Sequence, residues 1–200
     1  MIVNIPTTLN TFSQPLDFTK LIDPVNDLER ELLALPEFQR GYNWGKPRFG
    51  HPEGLVGLHV IEVLKNIDDL PFDNDFLEDL RLIAIAHDTF KYKEFELLKN
   101  GKPKIHHGLI ARRFLEDYIF DEKLLDIIER HDEAFHIWRT HHVFNNPELA
   151  AKKLDALASD YTLHHDLYCN FFRVDTYTGD KLQAPFLWFQ QEMEFRGIEF

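Results

Sequence analysis

Cysteine and basic side chains are both scarce in this chain. Its one cysteine, Cys169, excludes an internal disulfide, and we expect a reducing, cytoplasmic setting. Lys and Arg number 22 against 34 Asp and Glu, so the formal net charge is −12. Because proteins bind nucleic acid largely through Lys and Arg contacts to phosphates, we do not expect a long nucleic acid as partner. A small phosphorylated molecule needs only a few local cations and is compatible with this charge.

Long apolar runs are also missing. No stretch approaches the roughly 20 residues that cross a bilayer, and the first residues show no basic segment followed by an apolar one. We therefore expect neither a membrane partner nor a signal peptide. The chain of 200 residues is 44% hydrophobic and contains 18 Phe, which is enough for one bulky core.

Helical periodicity dominates the sequence, and no segment shows sustained strand-type alternation. We predict an all-α fold: one helical bundle over residues 23–200, preceded by an extended lead-in over 1–22. Asp23 is the expected cap of the first helix, with Pro24 in its first turn. Residues 37–54 are predicted to be a loop. The predicted helices cover about 23–35, 53–68, 76–90, 107–120, 122–131, 147–159, 163–177 and 181–194.

Histidine is abundant, with 11 in the chain. The pair His87-Asp88 follows the apolar run LIAIA, which is expected to be buried. Burying such groups costs several kcal/mol unless a partner compensates, and a divalent metal suits both side chains. Lys91 lies one turn after His87. A metal repels a lysine, so Lys91 is better explained as a contact to a phosphate or carboxylate group of a substrate.

Five short strings extend this pattern along the chain: GLHVIEVL, HDTFK, HHGLIA, IIERHD and FFRVDTYTGD. Together they resemble the HD superfamily of metal-dependent phosphohydrolases over roughly residues 50–180. The resemblance implies an HD domain whose metal ligands are His59, His87, Asp88 and Asp175, joined by His107 and His131 where a second ion binds. It implies one or two divalent ions, with Mn, Mg, Fe, Ni, Co and Zn all open.

The same resemblance implies an activity. Water activated by the metal would attack phosphorus in a small anionic substrate, with Asp88 and Lys91 as catalytic residues. The full ligand set is also similar to that of the HD-type di-iron oxygenases, which is the alternative enzyme. A further alternative is a non-catalytic metal- or ligand-binding HD module. The substrate and the oligomeric state stay open.

Several ligand assignments have neighbouring alternatives. His106 adjoins His107, and adjacent side chains on a helix point about 100° apart, so one of them is expected to reach a metal. We favour His107 because Gly108 and the following small residues match the start of a helix in the family. His51 is expected at the mouth of the pocket. Asp180 is the alternative to Asp175.

Some further polar residues have weaker assignments. Glu62, one turn after His59, and Asp132 are candidates for orienting the ligand imidazoles. Arg112 and Arg113 would either contact substrate phosphate or form surface ion pairs. The other His-Asp dipeptides, at 131–132 and 165–166, are of a kind that occurs often by chance. The remaining histidines, at 136, 141, 142, 164 and 165, are predicted to be surface or loop residues.

Overall fold

A computed structural model describes residues 14–160 and 162–200, and residues 1–13 of the lead-in predicted over 1–22 lie outside these ranges. The described chain is all-α, as predicted, with eleven α-helices and two isolated backbone bridges but no strand. None of these helices has the length and apolar character needed to cross a bilayer. The helices are α1 (Asp27–Ala34), α2 (Pro36–Tyr42), α3 (Val56–Asp68), α4 (Asn74–Ala86), α5 (Lys91–Lys99), α6 (His107–Leu115), α7 (Glu122–Arg130), α8 (Glu133–His142), α9 (Pro147–Ala158), α10 (His165–Thr176) and α11 (Ala184–Phe195).

Helix α4 lies at the centre of the bundle. It packs against α1, α3, α7 and α10. Its second half, from Leu80 to Ala86, is buried throughout, so the apolar run is surrounded by other helices. The helix ends at Ala86, and His87 and Asp88 therefore emerge inside the bundle.

The first helix begins later than expected. Asn26, not Asp23, caps α1 by accepting a hydrogen bond from the Glu29 N–H (2.9 Å). The Glu29 carboxylate accepts in return from the Val25 N–H (3.0 Å). These two side chains satisfy two backbone donors at the start of α1, which fixes where the helix begins.

The predicted loop over 37–54 contains a helix that periodicity did not indicate. Pro36 occupies the first turn of α2, where a missing N–H costs nothing. Phe38 and Tyr42, four residues apart, are fully buried, and the Tyr42 hydroxyl donates to the Ile85 carbonyl (2.7 Å). This contact holds α2 against the end of α4, close to His87.

The described end of the lead-in contacts the bundle. Residues Phe18–Lys20 form a 3-10 helix in which Phe18 is fully buried. Its ring lies over Gly57 of α3, where an added Cβ would come within 2.3 Å of it. A glycine is therefore required at position 57 for this close packing.

Candidate metal centre

The six predicted ligands all lie at or near helix ends. His59 is in the first turns of α3, His107 begins α6, and Asp175 is next to last in α10. His87 and His131 each follow directly after the last residue of a helix, α4 and α7 respectively. All but Asp175 are buried, with exposures of 4% or less.

One cluster joins His59, His87 and Asp175. The Asp175 Oδ1 atom lies 2.8 Å from His59 Nε2 and 3.8 Å from His87 Nε2. Helices α3 and α10 are in contact, so residues distant in sequence meet here. Three ligand atoms of the kinds that Zn²⁺ and similar ions prefer thus face one point.

A second cluster joins Asp88, His107 and His131. The Asp88 Oδ1 atom lies 3.3 Å from His107 Nε2 and 3.5 Å from His131 Nε2. Its other oxygen, Oδ2, lies 3.5 Å from His87 Nε2 in the first cluster. Asp88 therefore faces both clusters, one oxygen towards each, as a bridging carboxylate would.

Two of the imidazoles are held by backbone carbonyls. The Nδ1 atom of His87 lies 2.8 Å from the Ala84 carbonyl, and that of His131 lies 2.8 Å from the Ile128 carbonyl. The last carbonyls of a helix lack partners within it, so a histidine just beyond the end can donate to one of them. Each ring then carries its proton on Nδ1 and presents the Nε2 lone pair to the site.

Glu94 orients a third imidazole, and sequence reasoning missed it. Its Oε2 atom accepts from both the Nδ1 (2.8 Å) and the backbone N–H (3.0 Å) of His107. The hydrogen bond from His107 is the main reason that the pKa of Glu94 falls to about 2. A signal was present in the spacing, because Glu94 follows Lys91 by three residues and shares its helix face.

Several candidate metal-ligand atoms lack a hydrogen-bond partner within the described ranges. His87 Nε2 and Asp88 Oδ1 are buried there without a hydrogen bond. His107 Nε2 and His131 Nε2 face each other at 3.2 Å, although both rings already hold a proton on Nδ1. Lone pairs so close repel unless a cation lies between them, and unsatisfied buried polar atoms are costly. The residues present fit a bound metal.

At His87, Asp88 and Asp175, burial and neighbouring charges set the protonation states that a metal requires. Burial lowers the pKa of His87 to about 3, so its ring is neutral. Burial alone would raise the pKa of Asp88, but Lys91 and then His87 outweigh it and hold that pKa well below its usual range. Burial alone would likewise raise the pKa of Asp175, but Lys181 and then His59 outweigh it and hold that pKa well below its usual range. Neutral imidazoles and ionised carboxylates are the forms that bind divalent ions.

A cavity of about 400 Å³ opens beside the two clusters. His87, Asp88, His131 and Asp175 reach it from the metal-binding side, and its walls also carry aromatic and apolar side chains. These include Phe49, Phe135, Trp138, Phe172, Leu182 and Pro185. A pocket of this size is large enough for a small molecule.

Three cations line the same cavity: Arg48, Lys91 and Lys181. Lys91 pairs with Asp88, and Lys181 with Asp175 at 3.0 Å, so each is held by a candidate ligand. Arg48 forms no ion pair with any residue in the described part of the chain. The charge of Lys91, the residue expected to contact phosphate, is therefore partly offset by Asp88. Arg48 is a further cation, and sequence reasoning missed it.

The structure separates the alternative residues. His106 Nδ1 accepts from the Gly108 N–H at the start of α6 (3.2 Å), and it is His107 that faces Asp88. Asp180 accepts from the Gly50 N–H (2.6 Å), away from the clusters. His51 lines the cavity.

The residues predicted to orient the ligand imidazoles, to contact phosphate or to lie at the surface also differ in where the structure places them. Glu62 accepts from the Gly179 N–H (3.0 Å) and makes no hydrogen bond to His59 among the described residues. The acid beside His59 is Glu53, 3.8 Å from its Nδ1.

Arg112 pairs with acids of α6 and α7, Asp126 among them, and so has a structural role. His136, predicted to be a surface residue, lines the cavity.

No protein-family model, curated protein or solved structure matches this chain. What it does must therefore be argued from the buried His/Asp clusters, which could hold metal ions, and from the cavity beside them.

Proposed function

We propose that this protein is a metal-dependent phosphohydrolase of the HD type, acting on a small phosphorylated substrate. One observation carries the proposal: two buried His/Asp clusters, joined by Asp88, face a cavity that is lined by three cations. A metal ion supplies an activated water near neutral pH and a positive charge beside the phosphoryl group. The clusters match that chemistry, and the cations match an anionic substrate.

The chain's own residues bind and orient in this scheme. His59, His87 and Asp175 would hold one ion, and His107 and His131 would hold the other. Asp88 would contribute to both sites, because its two oxygens face different clusters. The hydrogen bonds at Nδ1 of His87, His107 and His131 direct the Nε2 atoms of these three rings inward, which leaves little to reorganise when an ion binds.

The cavity cations receive the substrate. Asp88 and Asp132 outweigh burial and raise the pKa of Lys91, so this lysine stays protonated at neutral pH. Its ammonium group lies beside the Asp88 carboxylate, where it would offset charge that develops on phosphoryl oxygens. Arg48, free of carboxylate partners in the described ranges, binds the anionic group at the cavity wall.

The test is a screen of purified protein, loaded with Mn²⁺ or Zn²⁺, against nucleotides and model phosphoesters. We expect phosphate release by the wild type, and loss of at least 100-fold in a His87→Ala, Asp88→Ala double variant. His142→Gln, an exposed histidine on α8, is the control and should retain activity. Undiminished hydrolysis in the double variant would contradict the proposal. Two bound irons with oxygen uptake and no phosphate release would favour the oxygenase instead.

A further inference from the structure

The second His-Asp dipeptide repeats the local geometry of the first. His131 follows α7 as His87 follows α4, with helical backbone angles in both. In both, Nδ1 donates to the carbonyl three residues earlier at 2.8 Å. This equivalence raises the question of whether Asp132 has the same role as Asp88.

The Asp132 carboxylate faces the same imidazoles as Asp88. Its Oδ2 atom lies 3.5 Å from His107 Nε2 and 3.6 Å from His131 Nε2. The corresponding distances from Asp88 Oδ1 are 3.3 and 3.5 Å. Ligands at about 2.1 Å from a shared ion lie roughly 3.0 to 3.4 Å apart in octahedral or tetrahedral geometry. Both carboxylates are thus within a few tenths of an ångström of that spacing.

The backbone position of Asp132 makes this orientation informative. Asp132 is the N-cap residue of α8, where an aspartate ordinarily accepts a hydrogen bond from the helix. Its side chain forms no such bond. The backbone of Asp132 is helical rather than extended, and its carboxylate turns towards the histidines instead of capping α8.

His106 supports the same orientation. Because the Gly108 N–H donates to its Nδ1, its ring proton is on Nε2, which lies 3.4 Å from Asp132 Oδ2. Asp132 also lines the cavity and is 28% exposed, whereas Asp88 is 3% exposed. Asp132 therefore stands on the cavity side of the second cluster, with Asp88 on the buried side.

We infer that Asp132 is an additional ligand of the ion held by Asp88, His107 and His131, and that His106 is its positioning residue. The inference rests on the proposed function only in requiring that this second ion binds. It makes the second ion a two-carboxylate, two-histidine centre. It also gives the protein a seventh metal-binding residue, on the side from which substrate enters.

The experiment measures metal binding rather than activity. Chelator-treated protein is titrated with Mn²⁺ by calorimetry, and Co²⁺-loaded protein is examined by visible absorption. Wild type is expected to bind two ions. Asp132→Asn should keep one ion and bind the other about 100-fold or more weakly, with a changed Co²⁺ spectrum. Asp132→Glu, which keeps a carboxylate, should restore part of the affinity.

The matched control is Glu133→Gln, which removes a charge from the adjacent residue, whose carboxylate pairs with Arg130. It should bind both ions as wild type does. Circular dichroism checks the fold of each variant, and Asp132→Ser serves if Asp132→Asn does not fold.

The outcomes separate the two proposals. Two ions bound by Asp132→Asn with wild-type affinity would overturn the inference and leave the proposed function standing. Loss of activity in Asp132→Asn with unchanged metal binding would also overturn the inference and leave the proposed function standing, since Asp132 would then act on substrate or water. A wild type that binds no ion would overturn both.

Discussion

The Nε2 atoms of His107 and His131 lie 3.2 Å apart inside the bundle. Glu94 and the Ile128 carbonyl accept hydrogen bonds from the Nδ1 atoms of the two rings. In their neutral forms the two rings therefore direct their Nε2 lone pairs at each other. A bound cation would convert this repulsion into coordination.

Removing one histidine from each cluster should remove one ion at a time. His59→Gln leaves the second cluster intact, and His107→Gln leaves the first, since Asp88 serves each through a different oxygen. We expect each variant to retain one Mn²⁺ after gel filtration, measured by elemental analysis, against two for wild type. Two ions retained by either variant would contradict the assignment of its cluster.

Glu94 should control affinity without touching the metal. Glu94→Ala removes the acceptor at His107 Nδ1 and frees the ring to turn. Loss of such an outer partner typically weakens metal binding by about 10- to 100-fold. Glu96→Ala, on the same helix but paired with Arg40, is the control. Equal Mn²⁺ affinity in the two variants, measured by calorimetry, would show that Glu94 does not orient His107.

The all-α fold and the central buried helix could be predicted from periodicity, because the apolar run before His87 is long and continuous. Helices α2, α5 and α8 could not be predicted from periodicity. Helix α2 is short and contains Gly41, and α5 (KYKEFELLK) is polar with little apolar periodicity. Such helices depend on tertiary contacts more than on intrinsic preference.

The same limit applies to the site. His59, His87, Asp88, His107, His131 and Asp175 were identified through the family resemblance, and the structure brings them together in two clusters. Glu94 and Arg48 were missed because their positions depend on how α5 meets α6 and how the loop before α3 folds over the cavity. Contacts of that kind are set by packing, which a local pattern does not report.

Gly108 should be essential for the contact between α6 and α7. A Cβ at this position would lie 2.3 Å from the Glu129 carbonyl oxygen, a backbone atom that cannot move aside alone. We expect Gly108→Ala to lower the free energy of unfolding by about 1–3 kcal/mol and to weaken metal binding by separating His107 from His131. Arg113→Ala, exposed on the same helix, should leave urea denaturation nearly unchanged. Wild-type stability in Gly108→Ala would show that α6 and α7 can move apart at no cost in the free energy of unfolding.

Asp160 should make the protein acid-sensitive. Hydrogen bonds from Thr162 and then Arg130 lower its pKa from 3.8 to about 2. The unfolded chain therefore binds more protons in this range, so the stabilisation is present above pH 3.8 and is lost as the pH falls through about 2. Asp160→Asn should be less stable than wild type above this range, and the difference should shrink within it. Denaturation in urea at several pH values measures this, with the exposed Asp117→Asn as control. A difference that does not change with pH would exclude the ion pair as its cause.

Arg48 should act on substrate binding more than on the chemical step. It lines the cavity without a carboxylate partner in the described part of the chain, whereas Lys91 and Lys181 are paired with candidate ligands. A hydrogen bond between charged groups is worth about 1.5–3 kcal/mol, and exposure of Arg48 to water reduces this towards the lower end. We expect Arg48→Gln to raise KM for a phosphoester substrate by about 10-fold with a smaller change in kcat, because each 1.4 kcal/mol is a factor of about 10. Lys46→Gln, which removes an exposed charge two residues earlier, is the control and should leave both constants unchanged. A fall in kcat at unchanged KM in the Arg48 variant would mean that this side chain acts in the transition state instead.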